Sequence, residues 1–151
     1  MNTIKFYSVG QPFGEFSNFA PYPIKVRGKV WPTTEHYFQA QKFAGTEHEE
    51  LIRLEPSPAK AVLMGRDRSR PLRPDWERVK DDIMELALYC KFTQHVTLLK
   101  LLVGTGNALI VEHTANDSYW GDGGDGTGRN MLGILLVRLR AMLAEDQHHF
   151  V

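Results

Sequence analysis

Residues 31–43 read Trp31-Pro32-Thr33-Thr34-Glu35-His36-Tyr37-Phe38-Gln39-Ala40-Gln41-Lys42-Phe43, and this stretch decides the class of fold. Pro32 lacks the N–H that a strand ladder needs, so any extended segment before it stops there. Thr33 can accept a first-turn N–H through its hydroxyl, which predicts a helix from Thr34 to Ala44 with Gly45 as its terminator. Upstream, Ile24 and Val26 alternate with Lys25, and Arg27-Gly28 leads into Val30 and Trp31. That pattern predicts a hairpin running straight into the helix. Strand pairs feeding helices make an α+β fold, and the rest of the chain tilts it toward helix.

Working outward, Ile4 and Phe6 predict a short strand, followed by a loop marked by Gly10, Pro12 and Gly14. Downstream, a short helical segment at Glu47–Leu54 stops before Pro56. Ser57-Pro58 is a cap followed by a proline in the first turn, opening a helix that Gly65 closes. Asp75 caps a longer helix in which Val79, Ile83, Leu86, Ala87 and Cys90 recur at helical spacing. A further helix covers Val96–Val103 and ends at Gly104. Leu109, Ile110 and Val111 form an apolar run that predicts a buried strand. The last helix runs from Asn130 to about Leu143, with Leu132, Leu135, Leu136, Leu139 and Leu143 facing the core. No repeat and no linker interrupts the series, so the expectation is one domain over residues 1–151, mainly helical with a small β-sheet.

Bulk composition narrows the function. A chain of 151 residues with 42% hydrophobic and 24% charged residues is an ordinary globular sequence. Its 18 basic and 18 acidic residues cancel, which argues against a dedicated nucleic-acid binder, whose phosphate contacts need a basic excess. Cys90 is the only cysteine, so no intrachain disulfide forms and a CxxC metal site is absent; that usage fits a reducing compartment. No apolar stretch approaches a membrane span, and the opening MNTIKFYS has no charged-then-apolar leader. Cytoplasm is the expected location. His36, His95 and His113 show no metal-ligand spacing, and His148 and His149 are too few for a metal tract, so no metal and no cofactor are expected.

Three constellations bear on chemistry. On the helix opened by Thr33, Glu35, Gln39 and Lys42 recur at i, i+4 and i+7 and share a stripe, while Tyr37, Ala40 and Ala44 lie opposite and pack inward. A carboxylate, an amide and an ammonium in line can grip a polar substrate, although such a stripe is more often a solvated face. Trp31 and Phe38 beside it suit a nucleobase-like ligand. Next, Gly121 to Gly128 holds five glycines in eight residues just before a helix, where positive φ and an anion-favouring helix start are both available. Neither a dinucleotide fingerprint, a Walker loop nor an EF-hand frames it. As simple turn formers, Asp122 and Asp125 are the plainer reading. Finally, Arg66, Arg68, Arg70 and Arg73 put four arginines in eight residues, a set that can hold phosphate. Cys90, on an apolar helical stripe, reads as an inert core residue.

Glu15-Phe16-Ser17-Asn18-Phe19, the 31–43 stretch, Met64-Gly65-Arg66 and Tyr119-Trp120-Gly121-Asp122-Gly123 occur in one order along the chain. Together they resemble the NADAR, or YbiA-like, family of N-glycosidases over about Ile4 to Leu143. The resemblance implies hydrolysis of the bond between ribose C1 and an amine. One branch of the family acts on early riboflavin intermediates and releases ribose 5-phosphate from a ribosylamino-pyrimidine; another removes ADP-ribose from the amino group of guanine. The short form without fused partners is more similar to the first branch. A non-catalytic ADP-ribose or NAD binding module is the alternative to an enzyme. Nucleic acid enters only as a modified substrate.

For such a bond, positive charge grows on the sugar while the departing nitrogen needs a proton. Glu35 and Asp122 are expected as the carboxylates, with Glu35 ahead. Lys42 serves as an ammonium, or attacks an opened C1 as a neutral amine. Trp31 and Trp120 are expected to stack on the base. Arg66 and Arg68 are expected at the phosphate, and Asn18, Phe38, Gln39, Gly121 and Gly123 complete the binding set.

Overall fold

The structure, a computed structural model, describes residues 2–149, with side chains described through residue 146. The side chains of His148 and His149 therefore lie outside the described residues. Along the chain come β1 (Thr3–Phe6), a 3-10 turn (Gly14–Phe16), β2 (Ile24–Val26), β3 (Lys29–Trp31), α1 (Thr34–Gln41), α2 (Glu47–Arg53), α3 (Pro58–Arg66), α4 (Trp76–Gln94), α5 (Val96–Gly104), β4 (Leu109–Glu112) and α6 (Met131–His149). The class is α+β and mainly helical. In place of one small sheet there are two separate strand pairs, β1 with β4 and β2 with β3. By its packing the chain falls into two compact units, one of Pro21–Gln94 and one of Met1–Ala20 with His95–Val151. Among the described residues no helix is long and apolar enough to cross a membrane.

The continuous unit, 21–94, begins with the antiparallel hairpin, Ile24 opposite Trp31 and Val26 opposite Lys29. Its turn works because Arg27 and Gly28 both take positive φ, 52° and 81°, which matches the twist of the strands. Ile24, Val26 and Trp31 turn their side chains into a core with Tyr37, Ala40 and Phe43 of the α1 region, Ile52 of α2, Ala61 of α3, and Ala87 and Cys90 of α4. Burial pushes the Cys90 thiol above its ordinary pKa, as a packed, unreactive cysteine requires. Leu86, assigned to the core stripe of α4 by its spacing, is 36% exposed. The buried residues of that helix are Trp76, Met84, Ala87, Leu88, Cys90, Lys91 and Phe92.

Helix α1 stops at Gln41, three residues before the expected end at Ala44. From Lys42 to Ala44 each N–H bonds the carbonyl three residues back, the tighter winding common at helix ends. Gly45 then leaves with φ 82°. The rewinding turns Ala44 outward, so it is exposed rather than packed inward.

In the other unit β1 and β4 run parallel, Thr3 opposite Leu109 and Phe6 opposite Glu112. Only Ile110 of β4 is fully buried, and Leu109 is 51% exposed, which corrects the expectation of a wholly buried strand. A two-stranded sheet with a helix on one face can hide only alternate side chains. That helix is α6, whose Leu132, Leu135, Leu136, Leu139 and Leu143 are all buried. It comes close because Gly133 has no side chain; a Cβ there would sit 1.9 Å from the Ile110 carbonyl oxygen. Asn130 occupies the open edge of β4: its amide accepts from Glu112 N–H at 3.0 Å and donates to the Ile110 carbonyl at 3.0 Å. One side chain thus satisfies the strand edge that would otherwise lie open.

Candidate active site

The residues with most chemistry gather where α1 crosses α3. Thr33 caps α1 as its sequence requires, its Oγ1 accepting from His36 N–H at 3.1 Å. The same hydroxyl lies 2.8 Å from His36 Nδ1, while Nε2 is 2.6 Å from the Glu55 carbonyl. His36 is fully buried, and burial holds its pKa below the ordinary value despite these contacts. It is a structural pin that fixes the start of α1.

With the start fixed, the stripe of Glu35, Gln39 and Lys42 has a definite setting, and it is not a solvated face. Gln39 is 5% exposed; Glu35 and Lys42 are half-buried. Gln39 Nε2 donates to Glu35 Oε2 at 3.4 Å, and Lys42 Nζ donates to the Gly65 carbonyl at 3.4 Å. Beneath the lysine lies Trp76, its ring centroid 5.7 Å from Nζ. Phe38 meets that ring edge-on at 5.0 Å. Desolvation, with the charges of Arg68 and Arg66 adding to it and that of Glu35 opposing, brings the Lys42 pKa down to about 8. Desolvation penalises the charged form of a lysine, so an amine in this position is partly neutral near physiological pH.

The two arginines proposed for phosphate stand next to that lysine in the sequence of charges that act on it. Both are exposed, and among the described residues neither has a carboxylate partner within ion-pair distance. Arg68 is held by backbone: it donates to the carbonyls of Gly65 and of Arg66, the latter at 3.2 Å. These are the last carbonyls of α3, where a cation is favourable.

The aromatic expectation needs correction. Trp31 is 2% exposed and packs edge-on against Tyr37 at 5.2 Å. Its faces belong to the core, so it offers no stacking surface for a base. Phe38, 5% exposed, likewise packs on Trp76 and serves as a wall under the lysine. A Trp-Pro pair at a strand end reads the same whether the indole meets ligand or core. The residues missed by sequence reasoning here are Trp76 and Gly65. The signals present were the Met64-Gly65-Arg66 string for Gly65 and, for Trp76, its place next to the expected helix cap at Asp75.

Asn18, Trp120, Gly121, Asp122 and Gly123 belong to the other unit. Asn18 is 9% exposed and Asp122 5% exposed. Asp122 Oδ1 accepts from Thr114 N–H at 3.1 Å and Gly124 N–H at 2.8 Å, while Oδ2 lies 2.8 Å from His113 Nδ1. The His113 contact, followed by the two backbone N–H groups, holds this carboxyl below its usual range. Both oxygens are committed, so Asp122 organises the loop around it. His113 was passed over because no metal-ligand spacing includes it. Asp125 accepts from both the N–H and the hydroxyl of Thr127, the turn-forming role expected of it. Trp120 is half-buried and meets Tyr119 edge-on at 4.9 Å.

The glycines of this loop serve close packing. A Cβ at Gly121 would lie 2.8 Å from Thr114 Cγ2 and 2.9 Å from two carbonyl oxygens. Gly123 takes φ 74°. Amides of residues 128–132 donate back to loop carbonyls: Gly128 to Asp122, Arg129 to Ser118, Asn130 to Gly121, Met131 to Tyr119 and Leu132 to Trp120. The expectation of an anion-ready helix start is therefore corrected, since the first N–H groups of α6 are occupied by the chain itself.

Comparison with known proteins bears on this arrangement. Residues 5–144 match the family described as NADAR domain. The N-glycosidase YbiA of Escherichia coli (strain K12) is 58% identical over 144 residues, covering 95% of this chain and 90% of that protein. The N-glycosidase Npun_R5314 of Nostoc punctiforme is 43% identical over 141 residues, covering 91% and 90%. The riboflavin biosynthesis protein PYRR of Zea mays is 39% identical over 155 residues, covering 93% of this chain but 25% of its own length. The NMR structure of E. coli YbiA superposes with a TM-score of 0.90 at 56% identity, covering 97% of this chain and 87% of that one.

Proposed function

We propose that this chain, which belongs to the NADAR domain family, cleaves the bond between ribose C1 and an exocyclic amine in early riboflavin-pathway ribosylamino-pyrimidine phosphates, releasing ribose 5-phosphate. It is a hydrolase of N-glycosyl bonds, as its relatives' names state of them. The pyrimidine substrate is supported by the riboflavin-biosynthesis names of its relatives in maize and Vibrio vulnificus. A reducing, cytoplasmic setting accords with Cys90 being buried and unpaired.

The observation that carries the reading is the half-buried Lys42 with its pKa at about 8, on the same stripe as Glu35. At that value the neutral fraction at pH 7 is roughly a tenth, about two orders of magnitude above that of an exposed lysine. Once the ribose ring opens, C1 is an iminium carbon joined to the leaving nitrogen. The Lys42 amine adds to C1, and its surplus proton passes through Glu35 to the departing nitrogen. The C1–N bond then breaks with its electron pair on that nitrogen, leaving a protonated Schiff base on Lys42. Water adds to C1 and expels the lysine, so the net change is one water consumed. Arg66 and Arg68 would hold the 5-phosphate by paired hydrogen bonds. Within the other unit, Asp122 acts by organising its glycine loop.

The test is Glu35→Gln, assayed for release of free base and ribose 5-phosphate from the ribosylamino-pyrimidine phosphate. Turnover should fall by about 10²–10⁴-fold, the range for lost acid–base catalysis, with the unfolding temperature unchanged. Borohydride added during turnover should trap a protein–sugar adduct at Lys42. A variant turning over at near-native rate excludes Glu35, and an empty trap excludes the Schiff base. ADP-ribosylated guanosine in the same assay separates the second branch of the family: preferential cleavage of it would replace the pyrimidine as substrate.

A further inference from the structure

Gly65 lies against Gln39, and its carbonyl meets Lys42 and Arg68, yet the mechanism above does not use it. Its missing side chain is a necessity. A Cβ at Gly65 would fall 1.9 Å from Gln39 Oε1, 2.8 Å from Gln39 Cδ and 3.1 Å from Gln39 Cβ. The Gln39 amide therefore lies flat across the last turn of α3 in space that any other residue would fill. From that position its Nε2 reaches Glu35, and its Oε1 is buried with no hydrogen-bond partner. A buried amide oxygen without a donor is unfavourable, so this placement is set against the amide's own preference at that atom. It can lie there because the bare Cα of Gly65 leaves the room.

The carbonyl of the same residue does a second job. It accepts from Lys42 Nζ at 3.4 Å and from the Arg68 guanidinium. One backbone unit thus fixes the amine and one of the two phosphate-directed cations, while its bare Cα admits the amide that meets the carboxylate.

We propose that Gly65 is the positioning residue of the site: its lack of a side chain lets Gln39 set Glu35, and its carbonyl sets Lys42. The proposal rests on the N-glycosidase reading for its kinetic consequence, and on geometry alone for its effect on the lysine. In Gly65→Ala the obstruction is the end of a flexible side chain, so the fold gives way by moving Gln39. The amide then leaves Glu35, and water enters beside Lys42. The charged groups acting on that amine, Glu35 on α1, Arg66 and Arg68 at the end of α3, and Glu77 on α4, stay in the chain. What changes is the lysine's desolvation.

The experiment compares wild type, Gly65→Ala, Gln39→Ala and the double variant. Displacement of catalytic groups by about 1 Å can cost on the order of 10²-fold in rate, so Gly65→Ala should lower kcat by about ten- to a hundredfold. Its KM should move by less than about threefold, because the interaction lost is one used in the reaction rather than in binding. Because both single changes act through one amide, adding Gly65→Ala to Gln39→Ala should lower kcat by less than about twofold further. A Gly65→Ala enzyme with kcat within about twofold of wild type overturns the proposal, as does a full loss repeated in the Gln39→Ala background. Should Gly65→Ala not fold, the double variant, in which only the 3.1 Å contact with the Cβ of residue 39 remains, decides: native unfolding with the turnover of Gln39→Ala supports the proposal, and failure to fold overturns it.

A second readout needs no turnover. The ¹³Cε resonance of Lys42 should titrate near 8 in wild type and move up toward the ordinary lysine value in Gly65→Ala; an unmoved midpoint overturns the positioning role. If wild type releases no sugar from either substrate, the glycosidase reading fails while this titration still judges Gly65.

Discussion

Lys42 is the residue whose environment makes the sharpest prediction. Its pKa of about 8 means that the folded chain binds fewer protons than the unfolded chain between pH 8 and the ordinary lysine range. Stability should therefore rise with pH across that window, the sign that follows when the unfolded state holds the extra proton. Activity should rise with it: kcat/KM for the N-glycosidase reaction should climb through a limb near pH 8, because the proposed mechanism uses the neutral amine. A limb of opposite sign there, with the rate falling as the lysine loses its proton, would assign it the ammonium role. At this scale the sequence was informative about residue type and weak about exposure. The i, i+4, i+7 spacing placed Glu35, Gln39 and Lys42 on one stripe, yet spacing says nothing of what covers a stripe. Trp31 shows the converse. Its neighbours in the chain are polar and its neighbours in space are Tyr37 and the hairpin core.

Elements were legible where a local signal starts or stops them. Thr33, Thr46 and Ser57 each cap a helix with a side-chain oxygen, and each helix begins where its cap directs. The Arg27-Gly28 turn joins the expected strands although it is a weak turn on paper, because Arg27 accepts the left-handed region. What was not legible is decided by partners distant in sequence. The parallel pairing of β1 with β4, and the closure of β4's edge by Asn130, depend on contacts that no window of the chain contains. Gly133 carries the element-scale prediction. A methyl at that position meets a backbone carbonyl at 1.9 Å, which cannot swing aside as a side chain can. Gly133→Ala should destabilise the protein by about 1–3 kcal/mol, the usual cost of overpacking, or more where the backbone resists. Urea unfolding reads it, and a midpoint equal to wild type would show that α6 does not rest on β4 as described.

For the molecule as a whole, equal numbers of acidic and basic residues give a pI near 7.0. A protein with no net charge should gain little from displacing counterions on a polyanion. Unmodified duplex DNA titrated in fluorescence anisotropy at physiological salt should show no saturable binding; tight, steeply salt-dependent binding would redirect the search toward nucleic-acid substrates. The class of fold and the family were readable from sequence because long, unusual strings survive intact from end to end. The division into two packed units was not, since it depends on which distant segments meet. That division also orders events in time. Residues 21–94 form one uninterrupted stretch that holds both strands of its hairpin and the helices packed on it. Thr3–Phe6, made before that stretch, has no strand to pair with among the described residues until Leu109–Glu112 is made. That strand therefore waits for its partner until the whole of 21–94 has been made, held meanwhile only by near neighbours such as Phe16, against which Phe6 packs.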